Sequence, residues 1–160
     1  MSAETFDVVV TRRFDAPVER LWNAWTRDDD VKRWWGPTGF TSPVARMDVR
    51  IGGRSIVSMR SPDGHDLFTT WTYQAIEPLE RLEFVLNFSD ADGNTLDPAA
   101  IGMPPGIPRG VPHVVSFKSL GDQTEMTVHE SGYTSELAVE NSRLGLEQSL
   151  DKLAAGLAER

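Results

Sequence analysis

The chain has 160 residues, no cysteine and a formal net charge of −8, and 39% of its residues are apolar. This size and composition predict a single domain spanning residues 1–160, while the lack of cysteine excludes disulfides, thiolate metal sites and a cysteine nucleophile. Scattered basic residues argue against nucleic acid as a partner, and the absence of a signal-peptide pattern or a bilayer-length apolar segment predicts a cytoplasmic protein without membrane contact.

The N-terminal part of the chain predicts one strand followed by two short helices. Residues 6–14 alternate in the manner of a strand. A first amphipathic helix then follows Pro17, and its apolar positions recur at helical spacing: Val18, Leu21, Trp22 and Trp25. A second helix is predicted from three aspartates to Gly36-Pro37, with these apolar residues on one face: Val31, Trp34 and Trp35.

The middle of the chain predicts six further strands. Their predicted ranges are 44–49, 54–60, 68–76, 81–88, 113–120 and 124–130. Gly121-Asp122 is the predicted turn of the last hairpin. Residues 89–112 are rich in proline and glycine and predict a long irregular loop that covers a cavity. Three of its apolar residues are candidates to fold over the cavity mouth: Ile101, Met103 and Ile107.

A long helix is predicted for residues 135–158. Leucines mark one of its faces: Leu146, Leu150, Leu153 and Leu157. Such a helix is about 35 Å long at roughly 1.5 Å per residue, which is more than one strand covers. We therefore expect it to pack across several strands.

Several short segments, in this order along the chain, resemble the START-like (SRPBCC) superfamily. Within it, the chain is similar to the family related to the C-terminal domain of the activator of the ninety-kilodalton heat-shock-protein ATPase. The segments that carry this resemblance are Arg12-Arg13-Phe14-Asp15-Ala16-Pro17, Trp34-Trp35-Gly36-Pro37, Asp48-Val49-Arg50-Ile51-Gly52-Gly53, Pro62-Asp63-Gly64, Glu77-Pro78 with Arg81-Leu82, and the stretch from Leu146 to Leu153.

The resemblance implies an α+β helix-grip fold, in which a curved antiparallel sheet wraps around a long C-terminal helix and encloses a cavity for apolar ligands. It implies no cofactor. Bacterial-type members are generally stand-alone domains of unassigned biochemical function, and the chain lacks room for the extra N-terminal domain of the eukaryotic activator, which weakens a co-chaperone interpretation. Leu146 stands where similar sequences often have tryptophan, and Trp71 where glycine is common. The first difference would enlarge the cavity, and the second would fill part of it.

The candidate ligand-binding residues are mainly apolar residues at the alternate strand positions that face inward, together with a few polar ones. Such stripes usually pack as a dry core, whereas the resemblance favours a cavity for the residues near the open end. The candidates are Trp35, Met47, Val57, Met59, Trp71, Tyr73, Phe84, Leu86, Phe88, Phe117, Met126, Val128, Glu130 and Leu146.

Two charged residues also fall on the inward parity. Glu130 is either a candidate acid, base or hydrogen-bonding group in the cavity or a solvated residue past the end of its strand, and we prefer the second interpretation. Arg12 either binds an anionic group of a ligand or pairs with a nearby acidic side chain, such as those at 28–30, and we prefer the ion pair.

Motifs for metal or nucleotide chemistry are absent from the sequence. His65, His113 and His129 lack the spacing of metal ligands, so no metal is predicted. We therefore expect binding of a small apolar molecule, with Glu130, Tyr73 or His65 orienting it. The alternatives are an interaction module that activates a chaperone ATPase and an enzyme of the polyketide cyclase or lyase type. A homodimer through an edge strand or the exposed helix faces is a further hypothesis.

Overall fold

The computed structural model describes residues 4–158, which form seven strands, three α-helices and one short 3₁₀ helix. In chain order these are β1 (Phe6–Phe14), α1 (Val18–Thr26), α2 (Asp28–Val31), β2 (Ala45–Arg46), β3 (Arg54–Arg60), β4 (Asp66–Glu77), β5 (Arg81–Ser89), the 3₁₀ helix (Pro98–Ile101), β6 (Val111–Ser119), β7 (Thr124–Tyr133) and α3 (Glu136–Ala158). All neighbouring strands are antiparallel, in the order β1-β7-β6-β5-β4-β3-β2, so β1 and β2 are the edges of the sheet.

The long helix α3 packs against the sheet and contacts β1 and β7. Its leucine face is directed inward, since Leu146, Leu150 and Leu153 are buried. A curved antiparallel sheet around a C-terminal helix is the predicted α+β helix-grip fold, and that prediction is confirmed. Within residues 4–158, no helix has the length and the hydropathy that a membrane span requires.

Aromatic side chains fill the interior between α1 and the middle strands. Trp25 of α1 lies with its ring centroid 4.8 Å from that of Trp34 and 6.0 Å from that of Trp71. Trp71 stacks on Phe84 at 4.7 Å and meets Trp35 edge to face at 4.8 Å. Aromatic pairs at these separations attract one another beyond their burial of apolar area. The cluster therefore closes this part of the interior with packed side chains.

Two predicted elements are shorter than expected. The second helix ends at Val31, and Trp34 and Trp35 lie beyond it in a turn. The chain reverses there because Gly36 adopts φ +107° and precedes a proline, which does not continue a helix.

The strand predicted for residues 44–49 is reduced to Ala45–Arg46. Serine hydroxyls of β3 replace its ladder bonds, because the N–H groups of Val44 and Asp48 donate to Oγ of Ser58 and Ser55 at 3.1 and 2.9 Å.

Candidate functional site

A cavity of about 290 Å³ lies between α3 and the sheet. Strands β3 to β7 form one wall, α3 forms the other, and the loop between β5 and β6 contributes a third side. The lining residues are Trp35, Gly36, Pro37, Met59, Leu67, Thr69, Leu86, Phe88, Met103, Pro104, Ile107, Val111, His113, Glu130, Tyr133, Ala138, Asn141, Ser142, Gly145, Leu146 and Ser149. Most of these side chains are apolar, and the polar ones are concentrated on β6, β7 and α3.

Six of the fourteen candidate ligand-binding residues lie in this wall. They are Trp35, Met59, Leu86, Phe88, Glu130 and Leu146. The other eight belong to the packed core or lie against it: Met47, Val57, Trp71, Tyr73, Phe84, Phe117, Met126 and Val128. The cavity and dry-core alternatives therefore each describe a different part of the same apolar stripe.

The aromatic cluster separates the two parts. Phe84 is held between Trp71 on one side and His113 on the other, with ring centroids 4.7 and 4.9 Å away. Trp25 donates its indole N–H to the Met126 sulfur at 3.1 Å. Phe84, Trp71 and Met126 therefore belong to the packed core, whereas Leu146 on α3 faces the cavity.

The loop that was predicted to cover the cavity contributes Met103, Pro104 and Ile107 to its wall, whereas Ile101 is not among the lining residues. The loop is attached to the start of α3, because the N–H of Thr134 donates to the carbonyl of Gly106 at 2.9 Å. Gly106 has φ +103°, and a Cβ there would collide with Oγ of Ser135. Only glycine fits this contact without strain.

Glu130 is buried in the cavity wall, with 6% of its surface exposed. The expectation that it lies in solvent is wrong, because β7 continues to Tyr133 and α3 covers this end of the strand. Its Oε1 accepts a hydrogen bond from the Tyr133 hydroxyl, and Ser142 Oγ lies 3.3 Å from the same oxygen. Tyr133 Oη and Ser142 Oγ are 2.7 Å apart. Three polar side chains therefore converge within an otherwise apolar wall.

His113 completes this polar cluster from the neighbouring strand. Its Nδ1 lies 2.9 Å from the carbonyl of Val111, and because a carbonyl only accepts, Nδ1 carries a proton. Its Nε2 lies 3.6 Å from Glu130 Oε2. An imidazole and a carboxyl group therefore lie close together in a buried position. Such a convergence of two titratable side chains is what the cyclase or lyase alternative requires.

The strand register explains how these residues meet. His113 is the direct partner of Glu130 in the β6–β7 ladder, and Phe84 is its partner in β5. Tyr133 follows Glu130 by three residues, which would place it on the opposite face of a regular strand. A bulge opposite Phe6 and Val8 shifts the register, so both side chains reach the cavity.

Sequence reasoning missed three members of the cluster: His113, Tyr133 and Ser142. For His113 a signal was present, since a hairpin turn at Gly121-Asp122 places it opposite Glu130. Tyr133 is oriented by a bulge, and Ser142 is brought close to Glu130 by the packing of α3. Neither feature has a recognisable pattern in the local sequence.

Tyr133 is a neutral hydrogen-bond donor in this site. Burial, reinforced by the negative charge of Glu130, raises the pKa of its hydroxyl above the ordinary range. Burial likewise raises the pKa of Tyr73, which lies outside the cavity wall and is hydrogen-bonded to Ser55 Oγ at 2.7 Å. Both hydroxyl groups therefore keep their protons throughout the neutral range.

Of the residues that the structure describes, no lysine or arginine lines the cavity. Arg12 pairs with Asp151 of α3 at 2.7 Å. The predicted ion pair of Arg12 is thus confirmed, but its partner is Asp151 and not one of the residues 28–30 that were named as examples. Lys152 donates to the carbonyls of Gly36 and Phe40, each at 2.9 Å, and its partial burial lowers its pKa. Lys152 therefore links residues 36–40, at the edge of the cavity, to α3 by two hydrogen bonds.

The other two histidines lie apart from the cluster. His65 is in the turn between β3 and β4, and His129 Nε2 is 2.8 Å from Asp7 Oδ2 on the outer face of β1 and β7. His65 is therefore not placed to orient a molecule in the cavity.

The model of the family described as "Activator of Hsp90 ATPase homolog 1-like protein" matches residues 15–158. A protein from Arthrobacter aurescens is 27% identical, with a TM-score of 0.78 over 99% of this chain and 88% of the other. A protein from Chromobacterium violaceum is 24% identical, with a TM-score of 0.76 over 94% and 96%. The AHSA1 protein from Silicibacter pomeroyi is 19% identical, with a TM-score of 0.76 over 96% and 98%. No curated protein matches the chain significantly.

Proposed function

The chain belongs to the family of activator of Hsp90 ATPase homolog 1-like proteins within the START-like superfamily, and we propose that it binds a small, mainly apolar molecule between α3 and the sheet. Membership of this family supports a ligand-binding or protein-interaction module. The observation that supports ligand binding is the cavity of about 290 Å³, which is apolar on most sides and polar at one cluster.

Size and composition favour a ligand at the small end of the usual range. Pockets for small molecules commonly measure about 300–1,000 Å³ and combine an apolar lining with a few convergent polar groups. Affinity would come mainly from removing apolar surface from water, at about 25 cal/mol per Å². The loop residues Met103 and Ile107 lie in the wall and would add to the apolar surface that contacts the ligand.

Native mass spectrometry of gently purified protein tests this proposal. Leu146→Trp places a large ring in the cavity, because Leu146 is 7% exposed and lines it. Leu144→Trp is the matched control, since Leu144 lies two residues away on the same helix and is 57% exposed. We expect a co-purified apolar mass in the wild type and in the control, and its loss in Leu146→Trp.

Two results would contradict the proposal. An apo mass in all three proteins, together with no uptake of added apolar compounds, would indicate that the cavity stays empty. Retention of the bound mass in a correctly folded Leu146→Trp variant would place the ligand elsewhere. The same spectra report the oligomeric state, on which the homodimer hypothesis depends.

An interaction module of the chaperone-activator type is the second candidate. Besides family membership, it is favoured by Leu137 and Leu144, which are 62% and 57% exposed and lie two turns apart on α3. If it holds, the protein stimulates the ATPase of a purified ninety-kilodalton heat-shock protein, and a Leu137→Ser, Leu144→Ser variant loses that stimulation. An unchanged ATPase rate with the wild type would remove this candidate without affecting ligand binding.

A further inference from the structure

We infer that the ligand carries a hydroxyl group, as an alcohol or a phenol does, and that this group binds between His113 Nε2 and Glu130 Oε2. The inference rests on the proposed function, because it specifies the polar end of the molecule that the cavity would hold. It depends on which polar atoms of the cluster already have partners and which do not.

One polar atom of each of the two side chains, His113 and Glu130, already has a hydrogen-bond partner. Oε1 of Glu130 is taken by Tyr133 and Ser142, and Nδ1 of His113 by the carbonyl of Val111. The remaining atoms, His113 Nε2 and Glu130 Oε2, are 3.6 Å apart, which is longer than a hydrogen bond. Both residues line the cavity, so these two atoms are available to a ligand. The indole N–H of Trp35 is a further polar group in the wall and has no hydrogen-bond partner among the described residues.

The two atoms offer complementary hydrogen-bonding roles. Oε2 of the carboxyl group accepts hydrogen bonds, and Nε2 donates one when it carries a proton. A hydroxyl group has one donor and two acceptor lone pairs, so it can complete both bonds at once. A ketone only accepts, and would leave the accepting member of the pair unsatisfied in an apolar wall, at a cost in affinity.

Charge argues against ionic ligands. A carboxylate or phosphate would place its negative charge beside Glu130 in an apolar enclosure whose described wall contains no lysine or arginine. An ammonium group has only donors, so it cannot accept a hydrogen bond from Nε2.

The pair is held in place before any ligand arrives. The imidazole of His113 stacks on Phe84 with 16° between the ring planes, while Tyr133 and Ser142 fix the Glu130 carboxyl. His113 and Glu130 are 5% and 6% exposed and are cross-strand partners, so their separation is set by the sheet. Groups fixed in this way lose little entropy on binding, which favours recognition of one ligand group.

A matched series of naphthalene probes tests the inference by calorimetry or tryptophan fluorescence. The probes are naphthalene and its hydroxyl, carboxylate and aminomethyl derivatives, all substituted at the same ring position. We expect the wild type to bind naphthol about ten- to a hundredfold more tightly than naphthalene, the range for hydrogen bonding to a charged group. The carboxylate should bind more weakly than naphthalene.

Variants locate the effect. Glu130→Gln and His113→Phe should each remove most of the naphthol advantage, which is the ratio of the naphthol and naphthalene affinities measured in the same variant. His113→Phe keeps a ring against Phe84. Tyr73→Phe is the control, because its hydroxyl is buried outside the cavity wall and its loss should leave the naphthol advantage intact. Thermal melts of each variant establish folding, and the wild-type series decides the question if a variant does not fold.

The outcomes separate the two proposals. Equal affinities for naphthol and naphthalene, or tightest binding of the aminomethyl or carboxylate probe, would overturn the hydroxyl inference and leave the cavity proposal standing. Failure of every probe to bind would overturn the proposed function and the inference with it. A naphthol advantage that survives in both folded cluster variants would place the hydroxyl elsewhere and overturn the inference.

Discussion

Replacing Tyr133 with phenylalanine should destabilise the protein more than the same replacement at Tyr73. Both tyrosines are buried, at 3% and 1% exposure, and each hydroxyl has specific partners. The Tyr133 hydroxyl donates to the Glu130 carboxyl and contacts Ser142, whereas the Tyr73 hydroxyl is bonded to the neutral hydroxyl of Ser55. Hydrogen bonds to a charged group contribute about 1.5–3 kcal/mol to stability, and neutral ones about 0.5–1.5 kcal/mol.

Urea unfolding of both variants and the wild type measures the difference. We expect Tyr133→Phe to reduce the free energy of unfolding by about 2 kcal/mol, which corresponds to about 4–8 °C in Tm for a chain of this length. Tyr73→Phe should cost about half as much. Equal costs, or a larger cost at Tyr73, would refute the argument that the hydrogen bond from Tyr133 to the Glu130 carboxyl group is the stronger of the two.

Three further predictions concern pH, the helix and the core. Because burial raises the pKa of both tyrosines, the folded state holds more protons than the unfolded state above about pH 10, so stability is fully present below that pH and decreases above it. Tyrosinate absorbance should therefore appear only together with loss of the far-ultraviolet dichroism of the fold, and its appearance in the folded protein near pH 10 would contradict this. Gly145→Ala should raise the free energy of unfolding, measured in urea, by about 0.5–1 kcal/mol, because Gly145 lies within a helix and a Cβ there meets open space. Gly106→Ala should lower the free energy of unfolding, because a Cβ there collides with Ser135. Destabilisation by Gly145→Ala would contradict the open space around this glycine. Trp71→Ala should cost about 3–5 kcal/mol in the same assay, because its side chain is fully buried, and a cost below about 1 kcal/mol would mean that the aromatic cluster is not close-packed.

Much of the fold could be predicted from local patterns. Alternation predicted β1, β3 and β5 to within a residue of their observed ends, because a strand with one buried face must alternate apolar and polar side chains. Leucine spacing predicted α3 for a related reason, since one helical face packs on the sheet. The second helix and β2 were predicted too long. There, a glycine with positive φ and the hydroxyls of Ser55 and Ser58 intervene, and such interactions do not follow hydrophobic periodicity.

The candidate site was predictable only in part. Parity alone put Glu130 on the inner face of β7, but whether that position was buried depended on how far β7 continued and on where α3 crossed it. Parity also assigned Phe84 and Leu86 to one apolar face without distinguishing their surroundings. The structure places Phe84 in the aromatic cluster and Leu86 on the cavity.

By itself, the sequence determined which faces of the strands and of the long helix are apolar, and the resemblance to a known family implied that the sheet wraps around α3. The tertiary structure decided where that apolar interior is filled and where it stays open. It also brought His113, Glu130, Tyr133 and Ser142 together from two strands and a helix. Periodicity records which side of its own element a residue faces, whereas a cavity and its polar cluster depend on distances between elements that only packing sets.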